Sequence, residues 1–399
     1  MTAWNEYSTG ERMKILRGTD ITQQALAEAA GISVATVQKV EQDRGGSVGS
    51  LMKIADALGT DVGVLLGQQA PRQAMSRAER TGARDLSLAV HDSVLAPVPD
   101  IEAPPLADLK ASLALAWDQF WRGDYTGACM IAPHLIAESR AFIDTHDGQL
   151  REQGLAVLAN AHHVAACVAN LLGKRDLAYA ALAHAERAAE QSGDVLLSAV
   201  LQSSLAWVYL RDGRIERAVK VSEETASGIQ LAFSDASPER LSVFGDLMLR
   251  AAVASSRAED RTRSTDFLSQ AHAAAARLGT DANHYQTLFG PTTARKTAIE
   301  IHLAFGDIGQ ALGLIQDTRM PGSTPIAVRC RHQLNVALAY CEAERWDEAA
   351  DTLLEVCTAA PEWVRHQALA GVVVQRIGDG STAKLRKVTQ VLGLPLLPR

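Results

Sequence analysis

Ile21-Thr22-Gln23-Gln24-Ala25-Leu26-Ala27-Glu28-Ala29-Ala30-Gly31-Ile32-Ser33-Val34-Ala35-Thr36-Val37-Gln38-Lys39-Val40-Glu41 spells two short helices around one tight turn. Thr22 is a good N-cap for the first helix, Leu26 and Ala27 face a core, and Ala30 is small where two helices must cross. Gly31 permits the turn. Ser33 caps the second helix, in which Val37 and Val40 point inward at helical spacing and leave Val34, Ala35, Gln38 and Lys39 facing out. Working outward, residues 9–67 read as short helices separated by small turns.

Residues 68–105 change character. They begin with Gln68-Gln69-Ala70-Pro71, carry Arg72, Arg77, Arg80 and Arg84, and end with Pro97, Pro99, Pro104 and Pro105. Prolines at that density cannot continue a helix, so a linker ends there. Its arginine-bearing part has Met75, Ala78, Leu86 and Val90 at roughly helical spacing and reads as a connector helix, whose arginines either form a solvated face or touch flanking phosphates.

From residue 106 to 399 the chain is Ala- and Leu-rich, and strand signals are almost absent. A unit recurs there, clearest at its turns: Gly123-Asp124-Tyr125, Gly173-Lys174-Arg175, Gly213-Arg214-Ile215, Gly306-Asp307-Ile308, Glu344-Arg345-Trp346 and Gly378-Asp379, with a less regular turn at Glu259-Asp260. A small residue follows each: Ala128, Ala178, Ala218, Ala311, Ala349 and Ala383, with Ser264 in the irregular unit. That is the signature of stacked helical hairpins. The expected fold is all-α: five N-terminal helices over 9–67, a linker with a connector helix over 68–105, and an α-solenoid over 106–399.

A chain of 399 residues, 47% hydrophobic and 21% charged, can bury a large core over more than one domain. No basic stretch precedes an apolar segment at the N-terminus and no run of about 18 apolar residues occurs, so the expectation is a cytoplasmic protein with no membrane partner. Five scattered cysteines without a CxxC pair fit reduced, buried thiols. The net charge of −7 excludes a protein that coats nucleic acid nonspecifically. Residues 1–67 hold only six Lys/Arg against eight Asp/Glu, so any DNA contact is local and depends on dimerisation for affinity.

The segment from Ile21 to Glu41 resembles the helix-turn-helix of lambda-repressor-like (XRE) regulators. The likeness continues through Ser50–Gly59 and Val64–Gly67, which look like that family's fourth and fifth helices. On this resemblance the outward positions would enter the major groove of an operator. Lys39 can donate to guanine or to a phosphate, Gln38 can read adenine, and Val34 and Ala35 offer apolar surface to thymine methyls. The resemblance carries phosphate contacts to Gln23 and Thr36; Ser33 opens the same helix, and Arg44 lies just beyond it as a phosphate contact. The fold also serves protein contacts in some relatives. Val34 and Ala35 stand where larger polar residues are common, which gives DNA shape more weight.

As a whole the chain resembles actinobacterial regulators with this helix-turn-helix and a tetratricopeptide-like array, and in architecture it is similar to the RRNPP quorum-sensing receptors. That resemblance implies an oligopeptide effector that sits inside the superhelix and changes DNA binding; the acidic charge of the N-terminal domain adds the expectation of a homodimer formed through the array. In tetratricopeptide hairpins the first helix lines the concave surface. That register directs Lys110, Trp117, Trp121, Asn160, His163 and Asn170 inward, then Ser203, Trp207, Asp246 and Arg250, then Lys296, Glu300, Arg331 and Asn335. The ligand-binding candidates are Asn160, His163, Asn170, Trp207, Arg250, Lys296, Glu300, Arg331 and Asn335. Asparagine amides both donate to and accept from a peptide backbone. Trp117 and Trp121 at i, i+4 also suit helix packing. Two other occupants stay open, a segment of a partner protein or a small molecule, the last requiring a closed and largely apolar pocket.

Enzyme motifs are missing. Gly45-Gly46-Ser47-Val48-Gly49 fits GxSxG formally but lacks the strand of a nucleophile elbow and reads as a turn. There is no GxxxxGK[ST], HExxH or strand-borne GxGxxG, and His163 with Cys167 is too few ligands for zinc, so no catalysis, metal or cofactor is expected.

Overall fold

The computed structural model describes residues 7–18, 21–58, 60, 62–66, 77–229, 236–377, 388 and 391–392. The described residues are helical apart from their connections, with one isolated antiparallel bridge between Ala282 and Phe289. The fold is all-α. Gly59, Gly67, Arg72, Met75 and the Gly378-Asp379 turn with Ala383 lie outside the described residues.

The first five helices are α1 (Thr9–Arg17), α2 (Gln23–Ala30), α3 (Val34–Glu41), α4 (Val48–Ala57) and α5 (Val62–Leu65). Caps set their starts. The side chains of Ser8, Thr22, Ser33 and Ser47 each accept from a backbone N–H in the first turn. The GxSxG look-alike is therefore the cap of α4. Gly31 sits at φ 61°, ψ 39°, the left-handed conformation that ends α2 and starts the turn. Met13, Leu26, Val37, Ile54 and Leu65 close a dry core, each fully buried. Buried Arg12 donates to the carbonyl of Leu65 at 3.0 Å and lashes α1 to α5.

The connector helix is α6 (Arg77–Leu95). It packs along α8 (Tyr125–Thr145) as an integral layer of the array, burying Ala83, Leu86 and Val90. The hairpins then pair α7 (Leu106–Arg122) with α8, α9 (Gly148–Leu171) with α10 (Arg175–Ser192), and α11 (Val195–Arg211) with α12 (Ile215–Gly228). They continue with α13 (Pro238–Arg257) and α14 (Arg261–Leu278), α15 (Pro291–Ala304) and α16 (Ile308–Asp317), α17 (Ile326–Glu342) and α18 (Trp346–Ala359). Two further helices, α19 (Pro361–Arg365) and α20 (Ala368–Ile377), follow. The small residues expected at the crossings, Ala128, Ala178, Ala218, Ser264, Ala311 and Ala349, are all buried. At such points two backbones approach closely, and a larger side chain would force them apart.

The six first helices do more than line a groove. Each packs on the next, and α17 packs back on α7, so α7, α9, α11, α13, α15 and α17 form a closed ring with their partners outside. The α9 stretch has the length and apolarity of a membrane span, but 83% of that window is buried inside the protein.

The repeated turn needs a left-handed residue before each outer helix. Glycine takes that position at Gly123, Gly173, Gly213 and Gly306, with φ of 73° to 77°. Two units use glutamate instead, Glu259 at φ 65° and Glu344 at φ 59°. A Cβ in this conformation costs about 1 kcal/mol or more. Because Glu344 is exposed, Glu344→Gly should stabilise the chain by about 1 kcal/mol, read as a higher urea midpoint with unchanged slope. A lower midpoint would show that the glutamate side chain itself holds the turn.

Candidate DNA-binding surface and ring cavity

On the helix-turn-helix, Ser33, Ala35, Gln38, Lys39 and Arg44 are exposed and Gln23, Val34 and Thr36 are half-buried. A relay of polar side chains orients Gln23 and Gln38. Buried Glu41 accepts from Arg17 Nε at 2.7 Å and from Gln23 Nε2 at 2.5 Å, and Gln23 Oε1 accepts from Gln38 Nε2 at 3.3 Å. Gln38 is thus held at the surface by a chain that starts in the core. The Thr36 hydroxyl lies 2.9 Å from that of Ser33.

This domain sits against the ring. A Cβ on Gly49 of α4 would lie 3.2 Å from the Arg257 carbonyl of α13, and one on Gly213 would lie 2.6 Å from Asp56 Cβ. Burial at this seat, with Asp212 beside it, raises the pKa of Asp56 despite Arg214. Between domain and ring lies a chamber of about 340 Å³. Lys39, Ser47 and Met52 line it from one side, and Arg257, Asn335 and Arg376 from the other.

A second cavity, about 280 Å³, lies at the centre of the ring, and all six inner helices contribute to it. One wall is aromatic. Trp117 and Trp121 stack with centroids 6.3 Å apart, Trp117 meets Phe120 and His163 edge-on at 5.4 and 4.9 Å, and Trp207 carries the Arg250 guanidinium 5.7 Å above its ring. The other wall is charged. Glu300 accepts from Arg257 at 2.8 Å and from Arg331 at 3.0 Å, while Asp246 accepts from Ser203 at 2.5 Å and lies 3.8 Å from Arg250. Burial would raise the Glu300 pKa, but Arg331, Arg257 and Lys296 outweigh it and hold the carboxyl at about 2. Burial depresses the Lys296 ammonium to about 8, and Glu300 only partly offsets it.

Six of the nine ligand candidates meet here: His163, Trp207, Arg250, Lys296, Glu300 and Arg331. The asparagines do not join them. Asn160 donates to the Ala156 carbonyl of its own helix at 3.0 Å. Asn170 is fully buried, with its amide unpartnered among the described residues, and Asn335 lines the chamber beside the helix-turn-helix. Lys110 is exposed and donates to Gln153. His163 Nε2 pairs with Ser204 Oγ at 2.6 Å, and Cys167 lies on the same wall, its thiol pushed up to about 12 by burial.

The sequence reading passed over residues 280–290, which border the cavity. Tyr285, Gln286 and Leu288 all have positive φ (50°, 62° and 48°), a strain of roughly 1–3 kcal/mol each that the surroundings must impose. Trp121 Nε1 donates to Gln286 at 2.8 Å, Tyr285 donates to Asp194 at 3.1 Å, and Phe289 is fully buried where Gly245 leaves room for its ring. The bracketing Gly279 and Gly290-Pro291 were the available signal.

The family model of the Cro/C1-type HTH DNA-binding domain matches residues 13–70. The N-terminal helices are a DNA-binding domain of helix-turn-helix type. No curated protein matches the chain.

Buried imidazoles make the fold acid-sensitive. Burial depresses His162 and His163 to about 3 and His332 to about 4. Each stays neutral when folded but takes up a proton below about pH 6.5 when unfolded, so their contribution is undiminished above that pH and is lost as pH falls toward 4. Each costs about 3 kcal/mol by pH 4. His162→Leu should reduce the proton uptake linked to unfolding near pH 5 by about one, measured from urea midpoints against pH. An unchanged slope would contradict the buried-neutral assignment.

Proposed function

We propose that the chain is a cytoplasmic, sequence-specific transcriptional regulator in which an effector held in the ring cavity modulates operator binding by the helix-turn-helix. One observation carries the reading: the chamber under the DNA-binding domain and the ring cavity share Trp207, Leu210, Arg211, Glu300 and Arg331. A ligand on one side of that wall changes the seat of the domain on the other, and it alters operator affinity by its differential binding to the two arrangements. Closure of α17 onto α7 and a cavity of about 280 Å³ favour a small molecule over an extended oligopeptide. The tetratricopeptide-like reading of the array rests on its hairpin repeat. A homodimer places two recognition helices on half-sites about 34 Å apart and supplies affinity that a domain of net acidic charge lacks alone. In this reading Gln38, Lys39, Val34 and Ala35 face bases, and Gln23, Ser33, Thr36 and Arg44 face the backbone.

The test is operator affinity of protein purified from its own host, before and after bound small molecules are removed, with native mass spectrometry to identify them. Affinity should change on removal and return when the molecule is restored. Affinity that never depends on the bound molecule would refute gating. Gln38→Ala and Lys39→Ala should each weaken the operator complex by about 1–3 kcal/mol. Unchanged affinity in both would remove the recognition-helix assignment.

A further inference from the structure

We infer that the ring cavity is a site for a small planar aromatic anion, a ring bearing a carboxylate or equivalent group. The inference rests on the reading of this cavity as an effector site and adds the chemistry of the effector.

The charges decide the sign. Glu300 is shared between Arg257 and Arg331, so one carboxylate faces two guanidinium groups. Asp246 is taken by Ser203 and Arg250. Lys296, which lines the same wall, has no hydrogen bond or ion pair among the described residues and keeps accessible surface. The wall therefore carries positive charge beyond what its own carboxylates neutralise. In a low-dielectric interior an unpaired ammonium is costly, and a bound anion relieves that cost through charge-assisted hydrogen bonds. A cation would find both carboxylates already occupied by arginines.

The aromatic lining decides the shape. Trp117, Phe120, Trp121 and Trp207 present aromatic surface to the cavity, and flat rings stack or meet such surfaces edge-on. The Trp121 indole is positioned by its bond to Gln286 in the strained 280–290 loop, so the aromatic wall is organised before a ligand arrives. A cavity of about 280 Å³ admits a metabolite-sized molecule whose ring lies on the tryptophans and whose anionic group reaches Lys296 and Arg331.

Titration calorimetry on the full-length, ligand-stripped protein tests this with 2-naphthoate and its neutral analogue 2-naphthalenemethanol, which share a ring and differ in charge. Naphthoate should bind and quench tryptophan fluorescence, with the alcohol weaker by roughly tenfold or more. Lys296→Met should cost naphthoate a similar roughly tenfold while leaving the alcohol unchanged, and Lys296→Arg should restore most of the loss. Equal affinities for the two probes, indifference to Lys296→Met, or no binding of either would overturn the proposal. Displacement of naphthoate by an equal concentration of inorganic phosphate would overturn its aromatic half. None of these readouts involves DNA. Naphthoate binding as expected alongside ligand-independent operator affinity would sink gating and leave the anion site. Gating by a neutral host molecule would do the reverse.

Discussion

A single carboxylate, Glu300 on α15, accepts hydrogen bonds from Arg257 on α13 and Arg331 on α17 and so joins three consecutive inner helices. It also stands in the wall between the ring cavity and the chamber beneath the DNA-binding domain. Removing it would leave two partly buried guanidinium groups facing each other with Lys296 close by. The two-to-one imbalance already present leaves this wall electrostatically incomplete, and in the proposed reading an anion on the cavity side would compete with Glu300 for Arg331, which borders both spaces. The site and the inter-domain seat therefore draw on the same charges.

Packing converts that electrostatic link into a mechanical one. Arg257, which holds Glu300 through its side chain, offers its carbonyl to the face of α4 at Gly49, where even a methyl group would meet backbone at 3.2 Å. On the neighbouring turn, Asp56 lies over Gly213 with no room for a Cβ. Contacts this close leave little slack, so in the proposed gating a shift at the end of α13 would be passed on to the DNA-binding domain. The relay from Arg17 through Glu41 and Gln23 to Gln38 ties α1, α2 and α3 together, so that in the proposed gating the domain would move as a unit.

The helix-turn-helix was legible because its determinants are local: Thr22, Ser33 and Gly31 act within one turn of chain, and each has the conformation its chemistry implies. The hairpin repeat was legible for the same reason, since a left-handed turn and a small crossing residue recur together, and it directed six of nine ligand candidates to one cavity. The asparagines went elsewhere because helical period cannot choose a face when all faces are covered; every residue from Ala161 to Asn170 is buried. Ring closure depends on small rotations accumulated over six hairpins, which no local pattern records. The 280–290 loop is likewise held by distant partners, Trp121, Asp194 and Gly245, and not by its own turn propensities.

The central claim is that occupancy of the ring cavity moves the DNA-binding domain. All five cysteines are buried, so cysteines introduced at exposed Gln42, beside the recognition helix, and Glu190, on the outer layer, accept spin labels selectively. Pulsed electron spin resonance then gives the distance distribution between them in ligand-stripped and host-ligand-filled protein. The account predicts distinct distributions in the two states, shifting together with operator affinity. Identical distributions, with operator affinity still responding to the ligand, would contradict it.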